Sequence, residues 1–343
     1  NVVNRAMTDK PDYAELIKTV WQNFVAYLGA ADYGVFSRET YTNELYLLTV
    51  AKIICANILQ KVPIICPQDE VIQILNGTFF TRLNIENLVD YDYFGWLNDS
   101  PYVESIAECA MNIQRQLTSY DFAAGAREDL FGELLAHLAS KEHRLLLGQE
   151  FTPHWIAKEM AIHGINQLQP GTEPKIVDMC CGSGVFLIEA IQVVREKYGV
   201  TLDGYDEAKD KIMFSCVTGF DIDPLAVMLA KVNWVLAMRD LFELHHGAIT
   251  IPLYHADSMF VATPITTQLQ ENENRNIELV IGDYTIELPS YLFSPEYRKL
   301  YDSFVSKCYR VAMQRAANPA CELEDTFVSR LVEQALDESN TPV

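Results

Sequence analysis

A glycine-rich segment from Asp178 to Gly184 (DMCCGSG) joins a carboxylate to a backbone that can turn sharply. Without a Cβ at Gly182 and Gly184, a bulky ligand can lie directly against the main chain. Such a turn occurs in many nucleotide-binding α/β domains. Alone, it therefore indicates a class of ligand and not a particular one.

Two acidic segments follow the glycine turn. In the FDIDP segment (220–224), the carboxylate of Asp221 can accept two hydrogen bonds from ribose hydroxyls. Asp223 would instead begin the next helix as its N-cap, and the two aspartates can fill both roles together. Further on, Asp257 can accept a hydrogen bond from an adenine amino group, although alone it is an ordinary loop residue. Three such segments in succession predict one ligand site, because ligands of open α/β sheets bind at the carboxyl ends of the strands.

Alternating strands and helices must position these segments. Short apolar runs predict strands, and period-3.6 patterns predict helices. The predicted strands are 175–179, 214–222, 249–255 and 277–282, and the predicted helices between them are 185–197 and 225–240. This alternation predicts a parallel sheet with helices on both faces. Residues 198–211 read as an insertion that lengthens the spacing between Gly184 and Asp221.

The first part of the chain reads as helical. Apolar residues recur at helical spacing in 16–28, 44–59, 106–117 and 129–147, and again after Pro295. The pattern changes after Gly148, which predicts a helical N-terminal domain over 1–147 and an α/β domain over 148–343.

The composition is that of a folded globular protein, with 49% hydrophobic and 21% charged residues in 343. The eight cysteines form no CxxC pair, so we expect buried thiols of a cytoplasmic protein and no metal site. We expect no membrane span, since the longest apolar stretch, 45–59, is short and contains Lys52. No segment resembles a signal peptide, and the first residue, Asn1, suggests a start that was removed or replaced.

The net charge of −21 bears on the partners of the protein. Proteins that grip DNA alone usually present a basic surface, because neutralising phosphates drives binding. Either the basic residues cluster on one face, or the contacts with the DNA phosphates come from another domain or subunit. The third reading is that the charge serves solubility alone.

The motifs in their order resemble those of N6-adenine DNA methyltransferases, above all the type I modification subunit and single-chain restriction-modification enzymes. The segments are 148–153 (GQEFTP), 178–184, 221–224 and Asp257, and residues 128–135 resemble the helix that precedes the Thr-Pro motif there. The resemblance covers roughly residues 120–300. It implies a Rossmann-like α/β sheet of the S-adenosylmethionine (SAM) dependent type, preceded by a helical domain.

The resemblance also implies SAM as the cofactor and DNA as the substrate. Contacts with the methionine end and the first turn would come from Phe151, Thr152, Pro153, Asp178, Cys181, Gly182 and Gly184. At the other end, Asp221 would hold the ribose, Ile222 would lie against the adenine face and Asp257 would bind the adenine amino group.

The catalytic segment departs from the family pattern. After the fourth strand the family has Asn or Asp, two prolines and an aromatic residue, whereas this chain has Asp283, Tyr284, Thr285 and Ile286. In the family, a side-chain oxygen and a proline carbonyl accept the hydrogens of a poorly nucleophilic amine, and the aromatic ring stacks on the flipped base. Asp283 can still accept one hydrogen bond, and Tyr284 or Tyr291 can stack. Asp283 and Tyr284 are therefore the predicted catalytic residues.

Several hypotheses remain open. The first is a SAM-dependent DNA adenine-N6 methyltransferase of a restriction-modification or phage-defence system. The second is a subunit with the same fold that binds SAM or a protein partner without methylating DNA. The altered segment favours the second, as does the helical patterning after Tyr301, where the family has further strands and a target recognition domain. The helical patterning after Tyr301 implies a chain that is truncated, a diverged paralogue or one subunit of a larger assembly. A methyltransferase for protein or small molecules is third. A nicotinamide-dependent dehydrogenase fits least, because the third glycine of its fingerprint is missing.

Overall fold

The structure is a computed structural model, and it forms two compact units. One comprises Asn1–Asp9 with Lys18–Ser258, and the other Lys10–Ile17 with Met259–Val343. The residues that the structure describes are 2–27, 36–60, 67–89, 94–98, 101–120, 131, 152–169, 171–256, 258, 276–281, 284–289 and 297. The predicted domain boundary at 147/148 lies outside these ranges and stays a prediction.

The N-terminal region is helical, as predicted. Its helices are α1 (Val2–Asp9), α2 (Pro11–Tyr27), α3 (Arg38–Leu59), α4 (Gln68–Asn76), α5 (Thr78–Thr81) and α6 (Val103–Leu117), with a 3-10 turn at Gly95–Asn98. Helix α3 starts six residues before the predicted start at 44, because the Ser37 hydroxyl accepts the Thr40 N–H at 3.3 Å and caps it. Apart from Phe131 and Tyr297, the predicted helices over 129–147 and after Pro295 lie outside the described residues.

Among the described residues, α3 is the one helix long and apolar enough to span a membrane. More than half of its most apolar stretch is buried within the structure. Lys52, in the middle of that stretch, is buried, and its Nζ donates to the Leu75 carbonyl oxygen at 2.8 Å. These contacts are typical of a core helix of a globular protein, and length and composition alone are weak grounds for a membrane span.

A small parallel sheet carries the glycine and aspartate segments. Its strands, in spatial order, are β1 (Ile176–Asp178), β2 (Val217–Asp221) and β3 (Leu253–His255). Val177 pairs with Thr218, and Phe220 pairs with Tyr254. This confirms three of the predicted strands and their parallel direction. The complete Rossmann-like sheet stays a prediction.

Helix α7 (His154–Asn166) precedes β1, and α8 (Val185–Lys197) follows the glycine turn. Helix α9 (Glu207–Ser215) precedes β2, and α10 (Pro224–Met238) follows β2 and ends in a 3-10 turn at Arg239–Leu241. Helix α8 has the predicted bounds. The prediction that β2 begins at residue 214 is wrong, because the Asp206 carboxylate caps α9 at the Lys209 N–H (2.8 Å) and that helix runs on to Ser215.

The fourth predicted strand exists, but its pairing differs from the prediction. Strand β4 (Asn276–Ile281) pairs antiparallel with β5 (Tyr284–Pro289), which we did not predict. Only residues 282 and 283 separate the two strands. A link of two residues suits a hairpin and is far too short for the crossover that parallel strands require.

The N-terminal region also contacts the approach to β3. Ile85 forms a parallel bridge with Ile249. The Asn87 side chain accepts the Ile251 N–H at 2.7 Å and donates to the Ile251 carbonyl oxygen at 2.9 Å. These contacts explain why β3 starts at Leu253, later than predicted, since residues 249–251 pair with the N-terminal segment and not with β2.

One hydrophobic cluster runs from the N-terminal helices to the sheet. Ile53 on α3, Ile191 on α8 and Trp234 on α10 are almost completely buried members of it. Helix α3 packs against α10, and α7 packs against α8. The helices that follow β1 and β2 are thus held by the N-terminal helices and by α7.

Candidate functional site

The carboxyl ends of β1 and β2 meet at one edge of the sheet. The Cys181 N–H donates to the Phe220 carbonyl oxygen at 2.8 Å, which fastens the glycine turn to the end of β2. On the other side of β2, the Ala256 N–H donates to the Asp221 carbonyl oxygen at 3.0 Å. The glycine turn and the FDIDP segment are therefore neighbours, and the chain approaches Asp257 beside Asp221. Asp257 itself lies outside the described residues.

The Asp221 carboxylate is held by two backbone N–H groups. Its Oδ2 accepts the Gly182 N–H at 2.8 Å, and its Oδ1 accepts the Asp223 N–H at 2.9 Å. Each carboxylate oxygen can accept a second hydrogen bond, so both retain an acceptor position for a ligand hydroxyl. The glycine turn and the end of β2 thereby orient one carboxylate between them.

Both glycines of the turn have a left-handed backbone. The φ angle is +54° at Gly182 and +95° at Gly184, which other residues adopt only with strain. A Cβ at Gly184 would lie 3.3 Å from the Cβ of Ala230 on α10, whereas a Cβ at Gly182 would meet nothing within 4 Å. Gly184 therefore allows α10 to pack closely, and Gly182 borders open space.

Asp178 presents an unsatisfied acceptor at the same place. Its Oδ1 accepts the Cys180 N–H at 3.1 Å, while its buried Oδ2 has no hydrogen-bond partner among the described residues. Burial raises the pKa of this carboxyl, and the nearby Asp221 charge raises it further, against the opposing Cys180 bond. Asp178 also borders a mostly apolar cavity of about 490 Å³ between α7, β1 and α8. A buried carboxylate oxygen without a partner among the described residues suits a ligand that brings a hydrogen-bond donor.

Residues 126–261 match the family model of the N-6 DNA methylases. This stretch belongs to the N6-adenine DNA methyltransferase family. It contains α7, the parallel sheet and every site residue described above, whereas Asp283 and Tyr284 lie beyond it. No curated protein matches the chain.

The predicted Thr-Pro segment, Thr152 and Pro153, lies at the start of α7. Pro153 precedes the helix, and the first helical residue, His154, contacts Glu189 on α8, with 3.0 Å between Nδ1 and Oε1. The Glu189 side chain is 11% exposed, whereas the His154 side chain is 42% exposed. The contact fixes the Thr152–Pro153 end of α7 beside α8. Phe151 lies outside the described residues.

The predicted adenine-facing residue, Ile222, lies between two fixed neighbours. The His255 Nε2 donates to the Ile222 carbonyl oxygen at 3.0 Å, which requires a hydrogen on that nitrogen. Loss of hydration lowers the pKa of His255 despite the opposing effects of this bond and of Asp221. On the other side, Asp223 is buried, and its Oδ1 caps α10 at the Leu225 N–H (2.9 Å). The alternative N-cap role is thus confirmed for Asp223.

Cys181 lies at the end of β1, but its thiol is buried in the core. Burial raises its pKa, and the charges of Asp221 and Asp178 add to the effect, so it remains a protonated packing group. The sulfur packs against Gly219 on β2, where a Cβ would lie 3.1 Å from it and 2.5 Å from Leu253 Cδ2. We missed Gly219 in the sequence. A glycine inside a predicted strand was the available signal.

Asn233 is a second residue that we missed. It is buried on α10, and its Nδ2 donates to the Ser183 carbonyl oxygen at 2.9 Å. This hydrogen bond supports the glycine turn from the side of α10. It lies in a helix that is buried almost all round, and no sequence period distinguishes it. His154 and Glu189 were missed for the same reason, since their contact joins residues 35 positions apart.

The predicted catalytic residues stay predictions. Asp283 lies outside the described residues, and Tyr284 is the first residue of β5, where it pairs with Ile281. Within the part of the chain that the structure describes, no three metal-ligating side chains are grouped to hold an ion.

Proposed function

We propose that this chain binds SAM across the ends of β1, β2 and β3 and is a DNA adenine-N6 methyltransferase. One observation carries the proposal. The Asp221 carboxylate is held at 2.8 and 2.9 Å by the backbone of Gly182 and Asp223, inside the stretch that matches the family. The Oδ2 of Asp178, which has no hydrogen-bond partner among the described residues, supports a ligand at the same place.

The residues of this chain fit the chemical groups of SAM. Asp221 would accept the ribose hydroxyls, and Ile222 would lie against the adenine, whose amino group Asp257 would bind. Asp178 and the glycine turn would line the methionine side, with Thr152 and Pro153 at its border. When bound, SAM supplies a methyl group on a positively charged sulfur. An acidic site suits that charge and would bind the neutral demethylated product less well.

The substrate and its setting rest on the family match and the composition. DNA is the substrate that the family implies. With a net charge of −21, the chain would rely on another domain, a subunit or a local basic face to grip the phosphates. We place the activity in the cytoplasm, in a restriction-modification or phage-defence system.

A specific observation favours a second candidate. The chain lacks both prolines and the aromatic residue of the family's catalytic segment, and Tyr284 belongs to an antiparallel ladder. The second candidate is a methyltransferase-fold subunit that binds SAM or a protein partner without methylating DNA itself.

Calorimetry with SAM tests the cofactor proposal. Asp221→Ala should weaken binding on the order of 10- to 100-fold, because a hydrogen bond to a charged group is lost. The matched control is Asp203→Ala, at an exposed position in the insertion, which should bind like the parent. Thermal unfolding of both variants shows whether they are folded. A parent protein without affinity for SAM would rule out both candidates as SAM-binding proteins.

Methyl transfer to DNA separates the two candidates. Tritiated SAM and mixed DNA substrates, with and without a cell extract that could supply a partner, reveal any activity. Incorporation at adenine N6 supports the enzyme, and SAM binding without incorporation supports the subunit. If Asp283→Ala methylated as well as the parent, the assignment of Asp283 would be wrong.

A further inference from the structure

The pair formed by His154 and Glu189 has no part in holding the cofactor as proposed above. Its Nδ1–Oε1 distance is 3.0 Å, and the carboxylate is buried while the imidazole is partly exposed. An ionised carboxylate only accepts hydrogen bonds, so Nδ1 carries the hydrogen. In the neutral ring, the lone pair is then on Nε2. A buried carboxylate that orients an accessible imidazole is an arrangement suited to accepting a proton.

The pair is joined along the chain to two segments of the proposed cofactor site. His154 directly follows Thr152 and Pro153, which would border the methionine end of SAM. Glu189 is five residues beyond Gly184 on α8, which corresponds to about 8 Å along the helix axis. The imidazole therefore lies beside the half of α8 that is next to the glycine turn.

Adenine methylation releases one proton. As the amine nitrogen bonds to the methyl carbon, the carbon–sulfur bond breaks and the sulfur keeps its electron pair. The nitrogen begins with two hydrogens and ends with one hydrogen and a methyl group, so a base must take the other hydrogen as a proton. We propose that Nε2 of His154, oriented by Glu189, accepts this proton and later releases it to water. This inference rests on the proposed function.

A purely structural role for the pair makes a different prediction. If the contact only fastens α7 to α8, Glu189→Gln should be harmless, because the amide oxygen still accepts the Nδ1 hydrogen. If His154 accepts a proton, the same variant should slow methyl transfer, because the negative charge that stabilises the protonated ring is gone. Unfolding midpoints should show the Gln variant folded like the parent.

The main experiment measures methyl transfer in single turnovers with saturating SAM and DNA. His154→Ala should be slower by about 10²- to 10⁴-fold, the usual contribution of a general base, and because SAM is saturating, a change in its affinity does not enter this rate. Added imidazole should restore part of the rate. The control is His163→Ala, at an exposed histidine farther along α7 that should have no effect. A His154→Ala rate equal to that of the parent would overturn the inference and leave the proposed function intact.

A second measurement does not depend on activity. Imidazole NMR signals of His154 are compared in complexes with SAM and with S-adenosylhomocysteine, which lacks the methyl group and its charge. The His154 signals should differ between the two complexes, and those of His163 should coincide. Coinciding His154 signals would overturn the inference. A parent that binds SAM but methylates no DNA would overturn both the inference and the enzyme, leaving the subunit candidate.

Discussion

Glu44, a half-buried acid on α3, is predicted to destabilise the protein at neutral pH. Its pKa is raised from 4.5 to about 8, first by burial and second by the charge of Asp223, the residue that caps α10. The raised pKa means that the folded state prefers the protonated acid. The destabilisation by Glu44 should therefore be absent below pH 4.5, where both states carry the proton, and should grow as the pH rises to about 8.

The size of the effect follows from the linkage between protonation and folding. Each pH unit between the unfolded and folded pKa values costs about 1.4 kcal/mol. Over the interval up to pH 7 the limit is about 3 kcal/mol, and partial contact of the side chain with water reduces it. We expect Glu44→Gln, which keeps the shape and removes the titration, to stabilise the protein by about 1–3 kcal/mol at pH 7.

Urea unfolding of the parent and the Gln variant from pH 4.5 to 8.5 measures this difference. The gain should be small at the acid end, increase with pH and level off near pH 8. Subtracting the parent's curve from that of the variant cancels the contribution of every group that titrates in the same way in both proteins. Glu39→Gln, at an exposed position in the first turn of α3, is the control and should give parallel curves. Parallel curves for Glu44→Gln, or a loss of stability at pH 7, would refute the reasoning.

Three further substitutions test the residues that support the proposed cofactor site. Gly219→Ala places a Cβ 2.5 Å from Leu253 Cδ2, so unfolding free energy should fall by about 1–3 kcal/mol, and normal stability would contradict the packing described here. Asn87→Ala removes two hydrogen bonds to Ile251 and should lower the free energy of unfolding in urea by about 1–3 kcal/mol. An unchanged unfolding midpoint would show that this contact does not contribute to stability. Asn233→Asp turns a carboxylate oxygen toward the Ser183 carbonyl oxygen and should weaken SAM binding in calorimetry. Equal affinity would exclude Asn233 as a support of the turn.

Local chemistry explains what could be predicted from the sequence. The glycine turn, the acids after the strands and the Asp223 cap each depend on residues within a few positions of one another. Helix α8 was predicted with its observed bounds, because it starts right after the glycine turn and ends near Gly199. Runs of hydrophobic residues are also local signals. They predicted where the strands lie, but not where each strand begins and ends.

Contacts between distant parts of the chain explain which features could not be predicted from the sequence. Asn87 and Ile251 are 164 residues apart, and no periodic pattern announces their pairing. The hairpin of β4 and β5 was missed because the family pattern led us to read residues 283–286 only as the catalytic segment, although Tyr284 to Leu288 alternate between apolar and polar residues as a strand does. A resemblance of motifs thus outweighed a local signal at the point where the resemblance was weakest.

The N-terminal helical region contributes to the proposed cofactor site through a buried charge. Lys231 on α10 is 3% exposed, and its Nζ donates to the Asn87 carbonyl oxygen at 2.6 Å. Removing an acceptor from a buried ammonium is costly, so α10, the Asn87 segment and the approach to β3 are expected to move together. Helix α10 also begins at Asp223 and supports the glycine turn through Asn233. The helical region therefore acts on the proposed site by fixing the helix and strand that carry it.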